Sequence, residues 1–436
     1  MKPQWINNLL ACTRCGACLP VCPTYNSTLE EVQSPRGRVA LITAVEEGKL
    51  RLSSAFAEHM YHCLDCRACQ TACPSGVRIG ELVLEARAEL PENPLRRLVK
   101  RLVLRGVLYS HKTVSLASLP LRLYQNLGIR ALMHRLGIIR LLPRRLRELE
   151  AGLPRIPLRP LIWSLPEVIP PACRTESPDP HRPKRVAFFL GCAMSALFGD
   201  VSRATVRVLS KLGCEIVVPK QQRCCGAPHA DQGDKNAAIA LAKHNIAVFE
   251  RIGADAVVAD CAACSASLKE YAELLSTEPA FAERARAFSA KVMDINQLLA
   301  SFIPDKAALR ELRKRVTYHS PCHLAHAQGI CKHPRSVLKA IPGVEFVEME
   351  EAEWCCGSAG AYMLTHPQRS QELMDRKMRN IAAAKADIVA TSNPGCHMQI
   401  RMGCFRHGLQ VEVKHVVELV DEAMEAPRPC GKKTSV

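Results

Sequence analysis

Eight cysteines in the first 80 residues constrain this chain more than any other feature. Cys12, Cys15, Cys18 and Cys22-Pro23 follow C-x2-C-x2-C-x3-C-P, and Cys63, Cys66, Cys69 and Cys73-Pro74 repeat it without deviation. Three cysteines two residues apart can wrap their thiolates round one face of a cubane [4Fe-4S] cluster, and a fourth beyond a tight turn reaches the neighbouring cluster. The spacing predicts two ligand sets: Cys12, Cys15, Cys18 and Cys73 for one cluster, and Cys63, Cys66, Cys69 and Cys22 for the other. Zinc ribbons use two C-x2-C pairs rather than a triplet with Cys-Pro, so the spacing speaks against structural zinc. A chain with two such clusters is a relay for single electrons.

The remaining composition fits that reading. The chain has 436 residues, 48% of them hydrophobic, enough for two or three domains with cores of their own. Its start, Met1-Lys2-Pro3-Gln4-Trp5, has no apolar h-region, and no stretch approaches 18 uncharged apolar residues, so the expected address is the cytosol. There, 22 cysteines stay reduced and hold metal rather than forming disulfides. Between the two motifs, Ser34-Pro35 predicts an N-cap and first helical position, with Val39, Ile42 and Val45 on one face and Gly48 as a stop. Residues 1–92 are therefore predicted to form a helical two-cluster domain.

Residues 93–184 are predicted to connect this domain to the rest. The net charge of +17 is concentrated here: from Arg96 to Arg147 there are thirteen Lys and Arg and no Asp or Glu. Gly106, Pro120 and Pro143 break the segment into short amphipathic helices, and Pro166, Pro170, Pro171, Pro178, Pro180 and Pro183 mark a linker. Positive charge interleaved with Leu, Val and Ile suits an acidic partner or anionic lipid headgroups. No nucleic-acid motif or aromatic interleaving accompanies it.

From Arg185 the pattern alternates: Val186–Leu190 as strand, a helix around 201–212, Glu215–Val218 as strand, a helix around 235–250, and Ala256–Ala259 as strand. The same order recurs from Val316. Landmarks shift almost constantly, Cys192 to Cys322 by 130, Cys224 to Cys355 by 131 and Cys264 to Cys396 by 132, which indicates a duplication. Two repeated small α/β units, 185–310 and 311–425, are expected.

Each unit carries an early cysteine, a Cys-Cys-Gly triplet and a late cysteine. Vicinal cysteines at a strand end, turned by glycine, bring two thiols to one point while others return from neighbouring strand ends, as a soft-metal or cluster site requires. The first unit offers Cys192, Cys224, Cys225, Cys261 and Cys264; the second offers Cys322, Cys355, Cys356 and Cys396. The isolated Cys173, Cys214, Cys331, Cys404 and Cys430 are read as small buried hydrophobes. His319, His323 and His326 are read as ordinary core or surface histidines, with ligation or proton transfer as the alternative.

Together, the double cysteine motif, Pro23-Thr24-Tyr25, Pro35-Arg36-Gly37-Arg38, Cys73-Pro74-Ser75-Gly76-Val77 and Trp354-Cys355-Cys356-Gly357-Ser358-Ala359-Gly360 through Thr365-His366-Pro367 resemble the glycolate oxidase (glycolate dehydrogenase) iron-sulfur subunit family over nearly the whole chain. The resemblance implies a helical ferredoxin domain followed by α/β Cys-Cys-Gly units. It also implies flavin-binding partner subunits that oxidise glycolate to glyoxylate, and electrons leaving toward the membrane quinone pool from a peripheral position on the inner face. The Cys-Cys-Gly units are similar to those of heterodisulfide reductase B subunits, whose cysteines hold a non-cubane cluster. The first unit carries the full pattern, C-x31-C-C-x35-C-x2-C, and implies a third cluster; the second has Asn393 in place of one cysteine, leaving a different cluster, a labile metal or packing alone.

No G-x-G-x-x-G opens a helix after a strand, so FAD is expected on a partner subunit. Alternatives that keep the relay change the substrate to D-lactate or glycerol 3-phosphate. Others make the first unit a disulfide reductase in its own right, or the chain a redox-sensing scaffold.

Overall fold

The computed structural model describes residues 3–91, 94–172, 183–302 and 309–424. Cys173 and Cys430 lie outside them.

The N-terminal part is helical, built from Pro3–Leu10, Pro23–Thr28, Pro35–Glu46, Ser54–Tyr61 and Ile79–Glu89. Ser34 caps Pro35–Glu46 as expected, its hydroxyl accepting from the Gly37 N–H at 2.9 Å. Gly37 is needed there, because a Cβ would stand 1.9 Å from the Glu31 carbonyl oxygen. Val39 and Ile42 join Trp5, Phe56, Met60, Leu82 and Val83 in a core against which Cys12, Cys63, Cys69 and Cys73 pack.

The connector is a chain of short helices, among them His111–Ala117, Leu119–Asn126, Ile129–Arg135, Ile138–Leu141 and Arg144–Gly152. Of the proline-rich stretch, Pro178 and Pro180 lie outside the described residues, and the described part joins a sheet. The strand β1 (Val168–Ile169) pairs antiparallel with β3 (Glu215–Val217), at the edge of a sheet ordered β1-β3-β2-β4-β5, where β2 is Arg185–Phe189, β4 Ala256–Ala259 and β5 Val292–Asp294. The second unit repeats the parallel part as β7-β6-β8-β9, with β6 Lys314–Tyr318, β7 Val344–Phe346, β8 Ile388–Thr391 and β9 Glu412–His415. Strands β4 and β8 are buried at every position, which explains their continuous apolar runs.

The units share one core, in which Val186, Phe188 and Val258 of the first cluster with Val316, Tyr318, Ile388 and Val416 of the second. The N-terminal domain docks on both. Arg67 pairs with Glu270, Arg78 with Glu273 and Lys235 with Glu85 on the first unit's side. On the second unit's side, the His366 ring stacks on Tyr362 and meets His62 edge-on, each at 4.6 Å.

Candidate functional site

The two cysteine loops of the N-terminal domain have the same backbone. Arg14 and Gly16 (φ 57° and 88°) in the first loop match Asp65 and Arg67 (φ 47° and 62°) in the second. Left-handed residues on either side of the middle cysteine turn successive N–H groups inward, the concavity that receives anionic groups. Arg67 holds this unfavourable conformation because it is buried among Asp65, Glu81 and Glu270.

Cys12, Cys15, Cys18 and Cys73 line one cavity, and Cys63, Cys66, Cys69 and Cys22 another, so each triplet meets the fourth cysteine of the other motif. Space that no side chain fills, surrounded by four thiols, fits a cubane cluster. Burial pushes the Cys66 and Cys69 thiols well up, so their thiolates need a cation inside the cavity. Arg38 supports the same conclusion. Although buried, its guanidinium donates to neutral acceptors, Thr24 Oγ1 at 3.1 Å, Gln33 Oε1 at 3.0 Å and the His59 carbonyl at 3.0 Å. Among the described residues no carboxylate pairs with it, and it lines the second cavity, where a cluster with four thiolates would bring negative charge.

In the first Cys-Cys-Gly unit, Cys192 follows β2 and Cys261 follows β4, at the C-terminal edge where parallel sheets bind ligands. The vicinal pair departs from expectation: Cys224 and Cys225 lie in a loop several residues beyond β3, and Cys355 and Cys356 likewise beyond β7. Side chains rather than the sheet hold that loop. Asn245 donates to the Cys224 carbonyl at 3.0 Å, and Tyr271 and Ser267 donate to that of Cys225 at 2.8 and 3.0 Å.

All five thiols are buried, Cys192 Sγ lying 3.9 Å from Cys224 Sγ. Contacts with Cys192 and then Cys225 push Cys224 up, while Cys224 and then Cys264 push Cys225 down. Gly191 permits the approach, since a Cβ there would stand 3.1 Å from Cys264 Sγ. Five soft donors turned on one another suit an iron-sulfur group better than packing.

The second unit gathers Cys322, Cys355, Cys356 and Cys396, with Asn393 bridging the units. Its amide donates to Cys396 Sγ at 3.6 Å while its oxygen accepts from the Ala263 N–H at 3.3 Å. Two of its histidines are not ordinary. His319 is 1% exposed and neither ring nitrogen makes a hydrogen bond, although the Ala352 carbonyl lies nearby. Burial and then Lys377 hold it well below the usual imidazole range, hence neutral. His323 lies 3.5 Å from Cys322 Sγ and 3.7 Å from Asp65. His326 meets Thr71 at 3.3 Å. Of the isolated cysteines, Cys214 and Cys404 are buried as expected and Cys331 is half-buried.

Sequence reasoning passed over two more groups, Arg38 and Lys377. Arg38 sat in a quoted motif without a role. Lys377 becomes visible only by laying the repeats over one another, where it replaces Asn245 at the displacement of 132 that relates Cys264 to Cys396.

A 4Fe-4S dicluster domain matches residues 8–77, a cysteine-rich domain matches 186–269 and 316–401, and the linker region of the glycolate oxidase iron-sulfur subunit matches 95–153. The probable glycolate oxidase iron-sulfur subunit of Bacillus subtilis (strain 168) is 40% identical, covering 98% of this chain and 95% of that one. The glycolate oxidase iron-sulfur subunit of Escherichia coli (strain K12) is 32% identical over 96% and 94%. Lactate utilization protein A of Halalkalibacterium halodurans is 32% identical over 54% of this chain and 96% of its own. With nearly complete alignment to two relatives and a match in every segment, the chain belongs to the glycolate oxidase iron-sulfur subunit family and has an electron-transfer role.

Proposed function

We propose that this chain is the electron-transfer subunit of a glycolate dehydrogenase, receiving electrons from flavin-binding subunits that oxidise glycolate to glyoxylate and passing them toward membrane quinone. The observation that carries this reading is the crossed arrangement of thiols, in which Cys73 completes the first triplet and Cys22 the second. Those two sets are assigned to [4Fe-4S] clusters, and Cys192, Cys224, Cys225, Cys261 and Cys264 to a third iron-sulfur cluster. Bound groups of this kind supply one-electron transfer, while FAD on a partner supplies the hydride chemistry. The chain's own residues hold and insulate them: Arg38 offsets negative charge, and Arg67 and Arg87 fix the second loop, Arg87 by donating to the Met60 and Cys63 carbonyls.

No helix among the described residues is long and apolar enough to cross a membrane. The basic connector, with thirteen Lys and Arg and no Asp or Glu from Arg96 to Arg147, provides peripheral contact with the inner face of the cytoplasmic membrane. A second reading keeps the relay and changes the substrate to lactate, favoured by the likeness to lactate utilization protein A.

Co-purification with the flavin subunits, iron analysis and substrate-driven reduction of a quinone analogue test the proposal. Two four-iron clusters require at least about eight irons per chain, with turnover on glycolate in preference to D-lactate. Cys12→Ser should lose cluster iron and turnover together. Zinc in place of iron, or turnover indifferent to that substitution, would sink the reading.

A further inference from the structure

The two N-terminal cysteine loops share a backbone but not a neighbourhood. At the displacement of 51 that relates Cys12 to Cys63 and Cys15 to Cys66, Leu10 matches Tyr61, Thr13 matches Leu64 and Arg14 matches Asp65. In the second loop all three positions are buried. Leu64 packs with Cys355 and Tyr362, Asp65 faces His323, and the Tyr61 hydroxyl donates to the Gln232 carbonyl at 3.3 Å. In the first loop the same positions are bare. Leu10 is 75% exposed, and Thr13, Arg14, Cys15 and Ala17 reach solvent with it. Ile6, four residues before Leu10 on the same face of Pro3–Leu10, is exposed too. Among the described residues no carboxylate pairs with Arg14, and no hydrogen bond or ion pair joins residues 10–18 to either Cys-Cys-Gly unit.

We propose that Ile6, Leu10, Thr13, Arg14, Cys15 and Ala17 form the docking face for the flavin-bearing partner subunit, the point at which electrons enter the chain. The second loop shows what such a loop is for: it carries Cys66 up against Cys322 and Cys355, one set of thiols to the next. Electron transfer falls steeply with distance, and exposed Cys15 puts the first ligand set at the surface, where only a docked protein can come close. The membrane end of the relay lies elsewhere. Arg406 pairs with Glu148 at 2.8 Å and Arg130 with Glu150 at 2.6 Å, which ties the connector's outward leucines to the second Cys-Cys-Gly unit. The exposed face is preformed, because Arg36 donates to the Arg14 carbonyl at 3.1 Å and is itself held by Glu31 at 2.7 Å. Two aliphatic side chains beside an arginine without a carboxylate fit an apolar partner surface that sets an acidic group against Arg14. For each hydride the partner removes from its substrate, two electrons cross this face one at a time, and the protons are released from the partner to solvent.

The inference rests on the reading that a flavin subunit supplies the electrons, not on glycolate as its substrate, and its test needs no substrate. The full chain with its iron-sulfur groups is mixed anaerobically with the purified flavin-binding subunits, and amide hydrogen exchange is followed with and without them. Exchange over residues 6–17 should slow in the complex, a readout that requires no variant. Arg14→Asp places in the first loop the residue that the second loop carries on the same backbone, so it should keep wild-type iron and reduction by dithionite. It should nevertheless weaken association about tenfold, since it sets like charges against each other. Leu10→Gln should weaken association at every salt concentration. Protection of the loop in a complex that glycolate leaves oxidised would uphold the docking face and sink only the glycolate reading. Protection confined to other segments, association unchanged in both variants, or a chain that dimerises by itself through residues 6–17 would each overturn the proposal.

Discussion

Asp65, between Cys63 and Cys66, lies 3.7 Å from the imidazole of His323, whose other face meets the Cys322 thiol at 3.5 Å. One buried ion pair thus joins the second N-terminal cysteine loop to the second Cys-Cys-Gly unit. Burial alone would raise the Asp65 carboxyl, but Arg67 and then His323 override it and hold the group well below the usual carboxylate range. Breaking a buried pair from one side costs more than the pair contributes, about 3–5 kcal/mol. Asp65→Asn should therefore lower the denaturant midpoint and admit proteolysis between the N-terminal domain and the rest. An unchanged midpoint would show that Glu81 and Glu270 alone suffice to hold Arg67.

Arg38 gives a prediction about potential rather than stability. Its buried charge beside the Cys22, Cys63, Cys66 and Cys69 cavity favours the more negative, reduced state of a bound cluster. A nearby buried charge contributes about 1–3 kcal/mol, which for one electron is roughly 40–130 mV. Arg38→Gln should shift one of two EPR-monitored midpoints downward by that amount and leave the other in place. Equal shifts in both would place the charge effect elsewhere.

The first-unit thiols predict an unequal response to substitution. Cys224 closes the contact between Cys192 and Cys225, and a hydroxyl cannot replace its thiolate as a soft ligand. Cys224→Ser should lower iron per chain and electron transfer to a quinone analogue, whereas Cys355→Ser should cost less iron. Wild-type iron and turnover in Cys224→Ser would mean that this ring of thiols is packing alone.

Most of this architecture was legible in the sequence because it is written in short-range spacing. The cysteine triplets, the Ser34-Pro35 cap and the helix Lys235–Glu250 depend on neighbours in the chain, and each lies where the spacing put it. What escaped depends on groups far apart in sequence. The vicinal cysteines were expected at strand ends, yet Asn245, Ser267 and Tyr271 hold Cys224 and Cys225 in a loop beyond the strand. His319 resembled a core histidine because only the fold brings Cys356 and Cys396 to it. Val168–Ile169 lay hidden among prolines, since a two-residue edge strand leaves no periodicity to detect.

Two histidines outside the cysteine sites set an acid limit on stability. His111 and His415 are held down to about 4 by burial, and His415 Nδ1 must stay unprotonated to accept from the Val417 N–H at 3.1 Å. Their folded values lie below the unfolded value of about 6.5, so their contribution is complete above that pH and is lost as pH falls toward 4. Between pH 7.5 and 5.5 each should cost about 1.4 kcal/mol. Asp260 and Glu418, which burial pushes up to about 7, titrate in the same window with the opposite sign, so the readout is the difference between variants: the denaturant stability of His415→Gln should lose less than that of the unaltered protein over the window, at a cost in absolute stability. A pH dependence in His415→Gln identical to that of the unaltered protein would contradict the buried, neutral assignment.

The connector makes the last prediction, because the structure leaves its apolar residues outward. Leu132, Leu136 and Leu141 are 56%, 63% and 84% exposed, along the same helices as exposed Arg135 and Arg140. Leucines that reach solvent beside arginines suit the interface of an anionic bilayer, where acyl chains receive the first and headgroups the second. Each arginine near such a surface contributes about 1 kcal/mol, roughly a fivefold change in partitioning. Vesicles with anionic lipid should bind the protein, neutral vesicles should bind it far less, and raised salt should release part of it, because charge is screened within about 10 Å at 0.1 M. Arg135→Gln with Arg140→Gln should weaken binding about 25-fold, the product of two such factors, and lessen its salt dependence. Leu136→Gln should weaken it at every salt concentration. Binding unaffected by both sets of changes would assign this face to an acidic subunit of the complex instead.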